Sequence, residues 1–186
     1  MVRQLLALAL LVTLVAGCGP ASPPPYEINV TAEQIAQAQR TWQEKKLGEY
    51  RIKVVAGQPA LSGQVGIVLV YGGKVAQAYA RPLPANWLPI QAMRFGLQDM
   101  QLVTDQRQAT QFTVPGLFKA IQDASAHAAS TARRCKEGKV SLNVEFDPQW
   151  SYPSSIVYSW DASCDKDSPM LWQVLEFEPL NLGEGK

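Results

Sequence analysis

Residues 140–160, VSLNVEFDPQWSYPSSIVYSW, carry the clearest structural pattern of the chain. They divide into VSLNVEF (140–146), DPQWSYP (147–153), SS (154–155) and IVYSW (156–160). Apolar and polar residues alternate in the first and last pieces, as in strands with one buried face, and the middle piece is rich in turn residues. An antiparallel register in which partner numbers sum to 300 gives every apolar residue an apolar partner, and a slip of one residue would break this match. The pattern therefore predicts a hairpin with the pairs Val144–Ile156, Leu142–Tyr158 and Val140–Trp160.

The same strand register predicts that two cysteines lie close together. Continued past the open end of the hairpin, it carries Cys135 to within one residue of Cys164. The third cysteine, Cys18, is assigned to a lipid below, so two thiols remain for an oxidising compartment. This predicts one disulfide between Cys135 and Cys164, the alternative being two separate buried thiols.

Outward from the hairpin, two helices and four more strands follow from capping signals and from the spacing of apolar residues. Thr31 and Gln34 form a capping box, and Gly72-Gly73 suits a type I′ turn. The order α-βββ-α-βββ predicts an α+β domain in which two helices pack on one face of an antiparallel sheet. The predicted helices cover 31–46 and 113 to about 131–137, and the additional strands cover 50–54, 65–71, 74–80 and 170–178.

The segment 81–112 is the least regular part of the chain. Pro82, Pro84 and Pro89 interrupt it, although a short helix near 91–98 fits the pattern. Segments of this length in compact domains are usually functional or mobile. It is therefore one place to look for a binding surface.

The N terminus has the layout of a secretory signal peptide over residues 1–17: Arg3, an apolar run from Leu5 to Val15, then small residues. LVAGC (14–18) resembles the bacterial lipobox. The resemblance implies that Cys18 receives a diacylglyceryl group, that the leader is cut before it, and that the new amino terminus is acylated. Two or more acyl chains anchor a protein stably to a bilayer. The alternative is an ordinary signal peptide that ends in cysteine.

These observations predict the domain organisation and the location. Residues 18–29 form a lipidated, proline-rich tether, 30–180 a single α+β domain and 181–186 a flexible tail. Gly19 is not the aspartate associated with retention in the inner membrane of some bacteria. We therefore expect a membrane-anchored cell-envelope protein, on the outer membrane facing the periplasm if the host is Gram-negative.

Several spaced phrases together resemble a bacterial envelope family catalogued as domain of unknown function 6174. The likeness extends over about 40–178, but Val55 to Ser62 lacks the cysteines that many members carry there. The resemblance implies a secreted or lipid-anchored domain and brings no known reaction. The phrases are Trp42, LGEYRI (47–52), VLVYGGKV (68–75), TVPGLF (113–118), VEFD (144–147) and YPSSI (152–156).

Catalytic, metal-binding and cofactor-binding patterns are weak. His127 is the single histidine, and no Gly-x-Ser-x-Gly elbow is present. Asp161, Asp165 and Asp167 crowd one loop, but their spacing is not that of a calcium-binding loop, and a solvated acidic turn explains them. We therefore expect no catalytic residue, no metal and no cofactor.

Charge argues against nucleic acid as a partner. The chain has 17 basic and 16 acidic residues, and Arg3 is the only one of these in the leader. After cleavage 16 basic and 16 acidic residues remain, so the net charge is zero. No long basic run is present.

Loop aromatics are the candidates for recognition. Trp87, Trp150 and Tyr152 fall in loops, where they either contact a partner or cap the edge of the core. By contrast, Trp42, Trp160 and Trp172 fall on amphipathic elements and are predicted to be core.

The sequence thus favours a non-enzymatic module that binds an envelope protein or glycan. One alternative is a glycan hydrolase that uses two carboxylates from Glu145, Asp147 and Asp161. Another is a carrier of a small apolar ligand, which requires a cavity between helix and sheet.

Overall fold

The computed structural model describes residues 26–135, 138–161 and 169–180. The signal peptide, Cys18 and the tail 181–186 lie outside these ranges, as do Cys164, Asp165 and Asp167. The lipid anchor, the disulfide and the acidic cluster therefore stay predictions.

The described residues form an α+β fold with one eight-stranded sheet in the order β1-β6-β7-β8-β2-β3-β4-β5. Strand β8 pairs with both β7 and β2 and so joins the N-terminal and C-terminal halves. The elements are β1 Tyr26–Ile28, α1 Ala32–Glu44, β2 Tyr50–Gln58, β3 Ser62–Tyr71, β4 Lys74–Leu83, α2 Pro89–Met93, a 3-10 turn Leu97–Asp99, β5 Gln101–Leu102, α3 Gln106–Thr110, α4 Val114–Arg134, β6 Val140–Phe146, β7 Pro153–Trp160 and β8 Met170–Pro179.

The predicted hairpin register is confirmed. Val140 faces Trp160, and the pairing continues without a shift to Glu145, after which a bulge places Phe146 opposite Pro153. The capping box is also present, because Gln34 N–H donates to Thr31 Oγ1 at 3.2 Å and Thr31 N–H donates to Gln34 Oε1 at 2.7 Å.

The predicted order and the wholly antiparallel sheet are wrong in detail. Strand β1 pairs parallel with β6, from Tyr26 opposite Val140 to Ile28 opposite Leu142, and it lies within 18–29, where a tether was predicted. Asn29 prolongs this pairing, since its side chain donates to Val144 O and accepts from Val144 N–H. Three residues are too few to show the alternation that identifies a strand.

The prediction of two helices is also wrong, because the described residues contain four α-helices. Helices α2 and α3 have five residues each, little more than one turn, so no apolar periodicity can reveal them. Both lie in the segment 81–112, together with β5.

Both faces of the sheet carry a core. On the first face, α1 and α4 cover apolar residues such as Ile52, Val68 and Leu142. On the second face, residues 84–100 fold back over β2, β3 and β8. There they bury a smaller cluster consisting of Val55, Val65, Leu83, Trp87 and Ala92. We expected helices on one face alone, so the second cover is a correction.

Buried tyrosines make the fold sensitive to alkali. The Tyr50 hydroxyl accepts the Val114 N–H at 3.3 Å, which links β2 to the start of α4, and burial raises the pKa of Tyr50 to about 12. The pKa of Tyr152 is also raised well above its usual range. Burial is the larger cause, and the carboxylate of Asp147 is the second.

We therefore expect the free energy of unfolding to be unaffected by these groups below pH 10, the ordinary pKa of tyrosine. It should fall as pH rises from 10 towards 12, because the unfolded chain ionises first, and Tyr50 alone should account for about 2–3 kcal/mol. Urea unfolding across this range measures the effect. Tyr50→Phe should flatten the decline, and an equally steep decline in that variant would contradict the assignment.

Candidate functional site

The loop aromatics do not form an exposed recognition patch. Trp87 is 1% exposed and Tyr152 is 6% exposed. Trp150 is half-buried, with the Lys45 Nζ 5.5 Å from the centre of its ring and Phe177 6.1 Å away. The recognition hypothesis for Trp87 and Tyr152 needs exposure that they lack, so both are corrected to core residues.

The candidate carboxylates are engaged in local structure. Asp147 Oδ1 accepts the backbone N–H groups of Gln149 and Trp150 at 2.9 and 2.7 Å and so shapes the β6–β7 turn. Asp161 Oδ2 accepts the Lys139 N–H at 2.7 Å at the open end of the hairpin. Glu145 is exposed on β6. The structure does not bring these three side chains to a common cleft among the cavities described below.

His127 is exposed on α4, and its ring meets the edge of Tyr158 at 5.4 Å between centroids. Among residues 26–135, 138–161 and 169–180, no group of three or more His, Cys, Asp or Glu side chains could hold a metal ion. Cys135 is buried, and its Sγ accepts the Gly138 N–H at 3.2 Å.

A groove surrounds Trp172 on the first face of the sheet, between β8 and the helices α3 and α4. One cavity of about 540 Å³ lies on the helix side, and another of about 630 Å³ lies towards the β2–β3 turn. Trp172 and Gln111 line both cavities. We call the pair the Trp172 groove; its further lining includes Gln106, Arg107, Lys119, Ala120 and Asp123 on one side and Ala56, Gln58, Gln64, Phe112 and Met170 on the other.

Local packing explains why Trp172 is only half-buried. Its neighbours in register are Ile156 on β7 and the small Ala56 on β2, which leaves space beside the indole. Helices α3 and α4 meet closely at Gly116, where a Cβ would collide with the Thr110 carbonyl. Gln106 and Gln111, which lie at either end of α3, line the same cavity as Trp172.

The groove carries polar side chains and one more positive than negative charge, because Arg107 and Lys119 accompany the single carboxylate of Asp123. Lys119 Nζ and Asp123 Oδ2 form an ion pair at 2.6 Å. Gln108 Nε2 donates to Gln64 Oε1 at 3.3 Å. Asp123 is the one carboxylate among the lining residues of the two cavities. An aromatic surface with amide groups around it can bind a ligand that has one apolar face and a hydroxyl-bearing edge.

The second face of the sheet presents an apolar ridge, which we define as Leu88, Ile90, Met93 and Leu97. These four side chains are between 39% and 67% exposed. The four lie within ten residues of one another, and clusters of exposed apolar side chains are typical of interaction surfaces. The ridge lies within 81–112, the segment singled out from the sequence.

A buried lysine holds the ridge in place. Lys53 is 2% exposed, and its Nζ donates to the Met93 carbonyl at 2.5 Å and to Glu176 Oε1 at 3.0 Å. Arg81 donates to the Asp99 carbonyl at 3.0 Å, with its guanidinium 4.4 Å from the centre of the Phe95 ring. In the predicted strand 50–54, Arg51 and Lys53 alternate with Tyr50, Ile52 and Val54, which predicts Lys53 on the polar side of a half-buried strand. Its burial is therefore a correction.

No helix in the described ranges is both long and apolar enough to span a bilayer. No protein-family model, no curated protein and no solved structure matches the chain. The likeness to the domain of unknown function 6174 family therefore stays a prediction.

Proposed function

We propose that this protein is a lipid-anchored component of a bacterial cell envelope whose folded domain binds a glycan, without catalysis, in the Trp172 groove. The anchor rests on the signal peptide and lipobox that end at Cys18. The binding activity rests on one observation: a half-buried tryptophan lies between two adjoining cavities whose lining includes four amide and three charged side chains.

The size and chemistry of the groove support a ligand. Ligand sites occupy about 300–1,000 Å³ and combine apolar lining with a few polar groups that orient the ligand, and each cavity has a volume in this range. A sugar ring presents an apolar face of C–H groups and an edge of hydroxyls. The first matches the Trp172 indole, and the second matches Gln58, Gln106 and Gln111, because an amide both donates and accepts hydrogen bonds.

Hydrolysis is the less favoured activity. Two carboxyl groups must flank a glycosidic bond, about 5–10 Å apart. The described lining of the groove provides Asp123 alone, and that carboxylate is paired with Lys119. A carrier of a small apolar ligand has support from the position of the cavity between helix and sheet, but the four amide side chains of the lining match the hydroxyl groups of a glycan better.

Trp172→Ala should weaken binding of an oligosaccharide about 30-fold, since loss of an aromatic contact at the centre of a site costs ~2 kcal/mol. Calorimetric titration of the mature protein in detergent, with a panel of neutral and N-acetylated oligosaccharides, measures this. Gln111→Ala, at the exposed rim, should weaken binding about fivefold through one lost hydrogen bond.

Two control variants separate binding from folding. Trp160→Ala removes a half-buried tryptophan from the neighbouring strand β7, and Gln43→Ala removes an exposed amide from α1. Both should leave affinity unchanged. If no oligosaccharide binds but a fatty acid does, the ligand class is wrong and the carrier function takes its place.

A further inference from the structure

The apolar ridge lies on a fixed platform. Ile90 and Met93 are three residues apart on α2 and so share one face of the helix, and Leu88 and Leu97 flank it. Beneath them, Trp87 and Ala92 are buried against the sheet, and Lys53 binds the Met93 carbonyl. The exposed side chains are therefore held outwards by a rigid base and do not belong to a loose loop.

The chain before β1 limits how far the domain can lie from its anchor. Eight residues, 18–25, separate the lipid-bearing position from Tyr26, and fully extended they reach at most about 28 Å. This is shorter than the diameter of a domain of this size, which is about 38 Å for a sphere with the expected radius of gyration. A domain tethered so closely must present one of its faces to the bilayer.

The distance across the sheet from β1 to the ridge allows the ridge to face the bilayer. The segment that carries the ridge packs on β8, β2 and β3, which lie three to five strands from β1. At ~4.8 Å per strand this is about 15–24 Å, within the reach of the tether.

Charges of both signs lie beside the ridge, since Asp99 is exposed in the same turn as Leu97. Arg94 is exposed directly after Met93, where a long cationic side chain can reach lipid phosphates. Glu176 and Glu178 on the same face pair with Arg51 at 3.4 and 3.6 Å, and so offer little net repulsion.

We propose that the apolar ridge inserts into the headgroup–acyl boundary of the bilayer that holds the Cys18 lipid, with Arg94 among the headgroups. This inference rests on the proposed lipid anchor. It places the second face of the sheet on the membrane, so that the Trp172 groove, on the first face, opens away from it towards the envelope glycan.

The test uses the mature, lipidated full chain in vesicles of phosphatidylethanolamine and phosphatidylglycerol. An environment-sensitive fluorophore is attached at Ile90→Cys or, as the matched control, at Ala126→Cys on the exposed side of α4. Nitroxide-bearing lipids should quench the label at position 90 at least about twofold more than the label at 126, because interfacial side chains sit ~5–10 Å deep in the boundary.

Failure of the anchor and failure of the inference give different results. A protein that does not stay with the vesicles contradicts the lipid anchor. A protein that stays with the vesicles, but shows equal quenching at positions 90 and 126, overturns the ridge proposal alone. Photo-crosslinking from position 90 in intact envelopes to a protein instead of lipid would also overturn it and would indicate a protein partner.

Discussion

Trp87→Ala should lower the free energy of unfolding by about 3–5 kcal/mol, the range for removal of a buried aromatic side chain. Trp87 is 1% exposed and is the largest side chain of the smaller core on the second face. Domains of this size are stable by about 5–15 kcal/mol, so a fifth or more of the stability would be lost. Urea denaturation measures it.

Two further variants test the cause of this loss. Trp87→Phe should cost much less, because it keeps a ring in place and removes an indole N–H that is buried without a hydrogen-bond partner among the described residues. A Cβ on Gly63 would lie 2.5 Å from Trp87 Cε2, so Gly63→Ala should cost about 1–3 kcal/mol.

In the Trp87→Ala background, the cost of Gly63→Ala should shrink by at least ~1 kcal/mol, since the atom that it would strike is absent. Strict additivity of the two substitutions would mean that Trp87 does not pack over Gly63. It would also remove the rigid base on which the apolar ridge depends.

Cys18→Ala should transfer nearly all of the mature protein from the membrane fraction to the soluble fraction. The expectation follows from the number of acyl chains, because one chain binds a protein to a bilayer marginally and two or more anchor it stably. The apolar ridge alone would bury only a few side chains and cannot replace the anchor. Fractionation of cells that produce the variant, with immunodetection, measures the change.

The folded domain provides the control for this experiment, because Cys18 lies outside the described fold and its loss should leave thermal unfolding unaltered. Ser22→Ala, in the same predicted tether, should stay in the membrane fraction. If Cys18→Ala remains there as well, something other than a lipid on that cysteine retains the protein.

The hairpin β6–β7 could be predicted from sequence because it is a local feature. Side chains alternate between faces along a strand, so a slip of one residue between VSLNVEF and IVYSW would place apolar residues opposite polar ones. Helices α1 and α4 have 13 and 21 residues, which is enough for an apolar stripe to recur.

The order of strands could not be predicted in the same way. Alternation says which side of a strand is buried but not which strand lies beside it, and β8 sits between β7 and β2 through contacts distant in sequence. For the same reason, alternation correctly predicted which side of β2 carries Lys53 but did not predict what covers that side. Solvent was expected there, whereas residues 84–100 cover that side.

The candidate groove was only partly foreseeable. Trp172 was predicted to be core from its amphipathic strand, and it does pack against the main core as a partly buried residue. The accessibility of Trp172 depends on Ala56 and on the short helix α3. Both are distant in sequence from residues 170–178, so the pattern of that strand could not predict it. The apolar ridge was anticipated only as a segment, 81–112, and not as particular side chains.

The proposed location and the orientation of the domain depend on a lipid at position 18, and mass spectrometry of the amino-terminal peptide of the mature protein tests for it directly. We predict a peptide that begins at Cys18 and carries the added mass of a diacylglyceryl group and an amide-linked acyl chain. A peptide with an unmodified Cys18 thiol, or one that still contains residues 1–17, would contradict the lipid anchor.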